Sequence, residues 1–319
     1  MALLAKAICV EKSSGNDSES YFRGVADPEW VIGHVPNGGY ILFLIVQSCI
    51  QNQAGSSHPD PLHMSAHFLQ ATKPISVEVK LRILKRGRNF VNILADLVQG
   101  DHICITAHLI FGKISPSTRP LIDPSSGYSR RHPLRGHPSN AVLTNMPKMF
   151  GVRKQVRRAE DPYLLRNGPE HGRTSGGGVA VWGAWVELID KEERITPASL
   201  AFLADCTQSF ATLVPPSVTG INPHSLWLPS LTISLEYKAP IPPPSAMHSA
   251  RTVGVYIIGG FLSEPQGRHD TCVEIWTAPS TVGEGAEVDG WRDAQVCIGV
   301  ATQMQLMVAG SVNEKAAKL

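Results

Sequence analysis

The sequence predicts an α+β protein made of two copies of one plan, each a long apolar helix followed by an antiparallel run of strands. Three observations carry this. Residues from about 20 to 112 and from about 178 to 310 are compact and apolar-patterned, whereas 113–177 is rich in Pro, Ser, Arg and Gly with little periodicity. Each patterned region contains an apolar segment introduced by helix-starting residues, followed by runs with the two-residue alternation of strands. The 319 residues, 43% hydrophobic and 18% charged, supply ample core and exclude a disordered chain.

Taken in order, Pro36-Asn37-Gly38-Gly39 precedes the run from Tyr40 to Ile50, the strongest helix candidate of the first region. The Gly-rich start lets the backbone turn tightly and leaves amide N–H groups pointing out of the helix end. A helix apolar nearly all round should be buried by a sheet wrapping it. Strands are expected at 62–70, 76–85, 89–97 and 103–111. In the second region 179–187 reads as a strand, and Thr196-Pro197 as N-cap and first residue of a helix running through about Leu213. Strands follow at 230–238, 250–258, 271–277 and 294–308. The repetition suggests an internal duplication. The expected organisation is an N-terminal extension (1–19), a first domain (20–112), a basic Pro/Gly-rich linker (113–177) with one short helix near Asn145 to Arg158, a second domain (178–310) and a tail (311–319).

The net charge of +2 does not suit a nucleic-acid partner. It is an average: 12 Lys/Arg against four acids between Lys113 and Arg173 make that stretch +8, and the remainder −6. Arg153, Lys154, Arg157 and Arg158, with Lys85, Arg86 and Arg88, suit the phosphates of a small molecule, and a solvated linker suits the pattern equally well. The six cysteines are isolated, with no C-x-x-C, which points to free thiols rather than a zinc knuckle or disulfide framework. The longest apolar stretch, Tyr40 to Val46, is far short of the roughly 20 residues that span a bilayer. The first 12 residues have too short an apolar core for a secretory signal. The ending Ala317-Lys318-Leu319 is like the peroxisomal address, so a peroxisomal import receptor is an expected partner and the peroxisome the expected location, with the cytoplasm otherwise.

The nucleophile elbow, zinc-protease, P-loop and dinucleotide motifs are all absent. No metal is expected: His63 and His67, the one close histidine pair, lie well apart along a strand. Asp205 stands out as the only carboxylate in the second central helix, where an ionised group needs partners. A polar stripe with Thr207, Gln208 and Ser209 is the bland alternative. The first helix has no carboxylate from Gly38 to Gln53, so chemistry would be confined to one copy. Alternation along 296–308 sets Gln303 with Cys297, Gly299, Ala301 and Gln305 on one face, where it reaches a neighbouring carboxylate or meets solvent. Ser230 and Thr232 alternate onto one face of their strand. Cys206 has no adjacent histidine to activate it.

These residues bring a family into view. Pro36-Asn-Gly-Gly-Tyr40, His67-Phe-Leu69, Arg86-Gly-Arg-Asn-Phe90 and Leu97-Val-Gln99 in the first half resemble the acyl-CoA thioesterases built of two fused hotdog domains, within a wider superfamily with fungal members. Leu200-Ala-Phe-Leu-Ala-Asp205, Leu228 to Tyr237 and Gly299-Val-Ala-Thr-Gln303 carry the resemblance in the second half. It implies a double hotdog, two fused antiparallel sheets each wrapping a long central helix, and hydrolysis of acyl-CoA thioesters. It also implies that Asp205, Ser230 and Gln303 hold the hydrolytic water, with Asp205 as general base. Gly38 and Gly39 amides, with Tyr40 and Thr232, would bind the substrate and its developing oxyanion. No cofactor is implied, since the CoA thioester is the substrate, and a homodimer or higher homo-oligomer is expected. The sequence departs from the family pattern at Thr232-Ile233, at Tyr237-Lys238-Ala239-Pro240 and in an insert from Ala278 to Arg292. A cyclase, dehydratase or isomerase of a specialised-metabolite pathway, using Asp205 for proton transfer, is the alternative, and a non-catalytic binding module a third.

Overall fold

A computed structural model describes residues 4–115, 122, 127–146, 152–166, 180–220, 222 and 225–316. The expected address at 317–319 and the glycine run 176–178 lie outside them. Four long strands of the first half, β3 (Asp60–Phe68), β4 (Ser76–Arg86), β5 (Val91–Gln99) and β6 (His102–Gly112), fall within a few residues of expectation. The 1–19 region, read as an extension, instead supplies β1 (Val10–Gly15), which forms a hairpin with β2 (Glu19–Val25) and so joins the sheet. The turn is built by Asn16, whose side-chain oxygen accepts from the Ser18 and Glu19 amides.

The helix α1 (Gly38–Gln53) is capped by Asn37, whose side chain accepts from the Tyr40 amide at 2.8 Å. Its residues from Gly39 to Val46 are all buried.

In the second half β9 (Ala180–Leu188), β10 (Ser230–Tyr237), β11 (Thr252–Gly259), β13 (Arg268–Thr277) and β14 (Cys297–Gln305) form the wall. The short β12 (Leu262–Ser263) pairs with β13. The stretch read as linker adds two more strands, β7 (Val142–Leu143) and β8 (Val156–Glu160), and β8 pairs antiparallel with β9. The short helix expected near 145–158 is therefore replaced in part by a strand. The insert and the former linker pack together: Trp291, Trp185, Leu134 and Val282 make a small second core, with the His132 ring stacked on Trp185 at 5.2 Å.

These fourteen strands form one antiparallel sheet, in the order β1-β2-β4-β5-β6-β3-β10-β14-β13-β11-β9-β8-β7 with β12 on β13. The halves are fused edge to edge at β3 and β10, where Ser65 lies opposite Ser234. This is the expected α+β double hotdog, with its two sheets merged.

The second central helix differs from expectation. The expected cap Thr196 stands in the turn before it: its Oγ1 accepts from the Ser199 amide at 3.2 Å and Ser199 Oγ accepts from the Thr196 amide at 2.9 Å, while the N-cap position itself is Ala198, which has no side-chain bond. However, α2 (Ser199–Asp205) stops after Asp205, and a separate turn α3 (Phe210–Leu213) follows. Cys206 leaves helical geometry at φ −82° and ψ 44°. The end is sealed from the sheet, where Gln303 Nε2 donates to the Ala204 carbonyl at 2.8 Å. The helices α1 and α2 pack against each other under the joint sheet, which brings the start of α1 to the end of α2.

Candidate active site

The first turn of a helix offers unpaired N–H groups and the positive end of its dipole. At the start of α1 that place is taken by a side chain from the other half. Asp205 Oδ2 accepts from the Gly39 amide at 2.8 Å and from Asn37 Nδ2 at 3.0 Å. Only a glycine permits this approach: a Cβ at Gly39 would lie 2.5 Å from Asp205 Cβ and 2.7 Å from the Ala201 carbonyl oxygen. The other carboxylate oxygen, Oδ1, has one long contact, 3.5 Å from Ser230 Oγ. Burial raises the Asp205 pKa, and the hydrogen bonds from Gly39, Asn37 and Ser230 pull it back. A carboxylate with one oxygen anchored and the other nearly free is built to take a proton.

Ser230 reaches Asp205 because of a bulge. The core face of β10 is Ile233, Leu235 and Tyr237, so plain alternation puts Ser230 on the opposite face with Thr232. The register against β14 shifts between Ser230 and Thr232, and the extra residue turns Ser230 toward the helices. Thr232 is left on the other face, opposite Met304 and His67 in the sheet. It does not line the cavity, contrary to its expected substrate contact.

Three more expectations are corrected. Tyr40 is fully buried; its hydroxyl donates to the Ala7 carbonyl at 2.6 Å and accepts from the Asp27 amide, tying the N-terminal segment to α1. The Gly39 amide is held by Asp205 rather than open to a substrate oxygen. Gln303 is spent on the end of α2, and it is Gln305, two residues on, whose Nε2 donates to Ser230 Oγ at 3.3 Å. Gly38 lines the cavity beside Asp205, and among the described residues no partner accepts from its amide. Asn37 and Gln305 were not singled out from the sequence. The signals for them were Asn37's place just before the glycines and Gln305's place on the same strand face as Gln303.

These groups open on a cavity of about 750 Å³, within the range of small-molecule sites. Phe68 and Trp227 supply apolar wall, and Arg158, from the basic stretch, lines it while its guanidinium lies over Trp182 at 5.3 Å. Its neighbour Arg157 instead pairs with buried Glu187 at 3.7 Å. Cys206 is buried, and burial pushes its thiol up to about 12, which removes it as a nucleophile. Among the described residues no three metal-ligating side chains cluster, and no helix is long and apolar enough to cross a membrane.

With fold and site in view, comparison defines the class. Along 96% of its length the chain superposes on a candidate thioesterase II of Thermobifida fusca, covering 97% of that chain, with a TM-score of 0.68 at 20% identity. An acyl-CoA thioesterase II, TesB2, of Mycobacterium marinum gives a TM-score of 0.64 at 14% identity, with 97% of this chain and 99% of that one covered. A hotdog-fold protein of Alicyclobacillus acidocaldarius gives 0.67 at 14% identity, with 96% and 98% covered. The chain thus shares the fold of these proteins, the hotdog in its tandem form. More particularly, residues 26–112 match the family model described as the acyl-CoA thioesterase N-terminal domain. A ustilagic acid biosynthesis cluster protein, orf2, of Mycosarcoma maydis is 29% identical over 85 residues, which is 26% of this chain and 22% of that protein's length. The chain therefore covers about a fifth of that relative.

Proposed function

We propose that the protein hydrolyses acyl-CoA-type thioesters with a water activated by Asp205. The observation that carries this is the half-free carboxylate: Oδ2 is fixed by Gly39 and Asn37, while Oδ1 faces Ser230 and the cavity. A water between Oδ1 and Ser230 Oγ gives one proton to Asp205 as its oxygen adds to the thioester carbonyl carbon. Gln305 donates to Ser230 and fixes its hydroxyl for that water. The Gly38 amide, at the positive end of α1, is the donor for the developing oxyanion. Collapse breaks the C–S bond, the proton passes to the thiolate, and the acid and thiol leave. Positioned base catalysis of this kind contributes on the order of 10²–10⁴-fold. Arg158 gives the cavity wall a cation suited to an anionic part of the substrate. The match of residues 26–112 to a thioesterase domain supports the substrate class. The test is release of free thiol from a panel of acyl-CoAs of increasing chain length. Steady release, lost in Asp205→Asn, is expected; folded protein releasing no thiol from any member overturns the proposal.

A further inference from the structure

A second chemical pair, one member of which lines the same cavity, is not used by the water mechanism. Ser209 sits between α2 and α3 and lines the cavity, yet its hydroxyl caps no helix. Ser209 Oγ lies 2.8 Å from His269 Nε2 on β13. The other ring nitrogen, Nδ1, lies 2.8 Å from the Gly267 carbonyl oxygen, which can only accept. That contact fixes the proton on Nδ1 and leaves Nε2 to accept from Ser209. Both side chains are buried, His269 at 2% exposure, so the imidazole is not competing with solvent. A hydroxyl donating to a histidine that is itself oriented by a third group is the arrangement that activates a serine nucleophile.

We infer that Ser209 and His269 form a nucleophile–base pair that accepts an acyl group, making an acyl-serine in the same cavity. Ser209 Oγ adds to the acyl carbonyl carbon as its proton passes to His269 Nε2. The C–S bond then breaks, and the departing thiolate takes that proton, leaving an ester on Ser209 and a free thiol. In the second half-reaction a water or alcohol oxygen adds to the ester carbonyl. His269 takes its proton and returns it to Ser209 Oγ as the C–Oγ bond breaks. An alcohol acceptor makes the net reaction acyl transfer rather than hydrolysis. The thioester donor rests on the function proposed above; the nucleophile does not.

The test therefore uses a probe that needs no thioester. The full-length protein is treated with a fluorophosphonate, and the modified residue is located by peptide mass spectrometry, beside thiol-release assays. Labelling on Ser209 is expected, falling to background in Ser209→Ala and at least tenfold in His269→Ala, a modest share of the usual worth of a general base. Ser209→Cys covers the case in which His269→Ala fails to fold. The thiol it introduces should react with iodoacetamide faster than the exposed Cys9. Labelling of Ser209 without thiol release from any acyl-CoA would sink the thioesterase reading and leave this pair standing. Absence of labelling, labelling at Ser230 instead, or an introduced thiol that reacts more slowly than Cys9 in the Ser209→Cys variant would overturn the pair.

Discussion

The two halves follow one plan down to the bulge, and differ where chemistry is placed. Both strands at the junction carry a register shift at the same step, Pro61-Leu62-His63 in β3 and Ser230-Leu231-Thr232 in β10. Both central helices are entered through a side-chain bond to a backbone amide, from Asn37 or Thr196. Nine residues beyond these two stand Val46 and Asp205. A second cavity, of about 510 Å³, lies at the start of α2 against Pro61 and Tyr237, the counterpart of the one at the start of α1. There a proline replaces Ser230 and a valine replaces the acid. Duplication gives two sites; the donors of one half and the acid of the other leave one equipped.

The comparison is broken most strongly by removing the acid. Asp205→Asn should lower thiol release by about 10²–10⁴-fold while the amide still accepts from Gly39 and Asn37. Burial raises the Asp205 pKa above its ordinary 3.8, so the ionised form is the costly one in the folded state. The stability tied to the protonated acid is complete below 3.8 and is lost as pH rises through the raised folded value. At neutral pH the variant should therefore melt no lower than the parent, by thermal unfolding. Activity has the opposite sign: it needs the ionised base and falls as pH drops through that raised value, so the acid limb of the rate profile lies above that of an exposed aspartate.

Swapping the halves' identities is the next largest effect. Val46→Asp places an acid at the matching point of α1, where the residue is fully buried. The counterpart of Gly39 by the same spacing is Ala198, which carries a Cβ, and at Gly39 itself a Cβ would lie 2.5 Å from Asp205 Cβ. A loss of about 3–5 kcal/mol in denaturant unfolding is expected, without a second activity. Gly39→Ala should cost about 1–3 kcal/mol by forcing α1 from α2, with thiol release falling in parallel. The smallest pair separates the two glutamines. Gln303→Leu should reduce stability by about 1 kcal/mol through the uncapped Ala204 carbonyl, whereas Gln305→Leu should show its larger effect on the rate of thiol release.

Strand alternation made most of the fold legible, and the lone acid in a helix made the centre of the site legible. What sequence hid was of three physical kinds. The break after Asp205 hid because Cys206 to Thr212 has no glycine or proline to announce it; the stop comes from hydrogen bonds to distant residues. The bulge hid because one extra residue reverses a face without changing composition, which parted Thr232 from Ser230 and left Gln305 rather than Gln303 beside Ser230. Strand β8 hid because it reads Val-Arg-Arg-Ala-Glu, and its charges are tolerated through Arg157 with Glu187 and Arg158 over Trp182.

The bond from Gly39 to Asp205 spans 166 residues of chain. Either half alone, however well formed, holds an acid without donors or donors without an acid. Recovery of thiol release during refolding is thus a clock for docking of the two halves, and should lag behind recovery of helical signal. On the proposed mechanism, a newly made chain gains its base and its donors together, when the second half closes on the first.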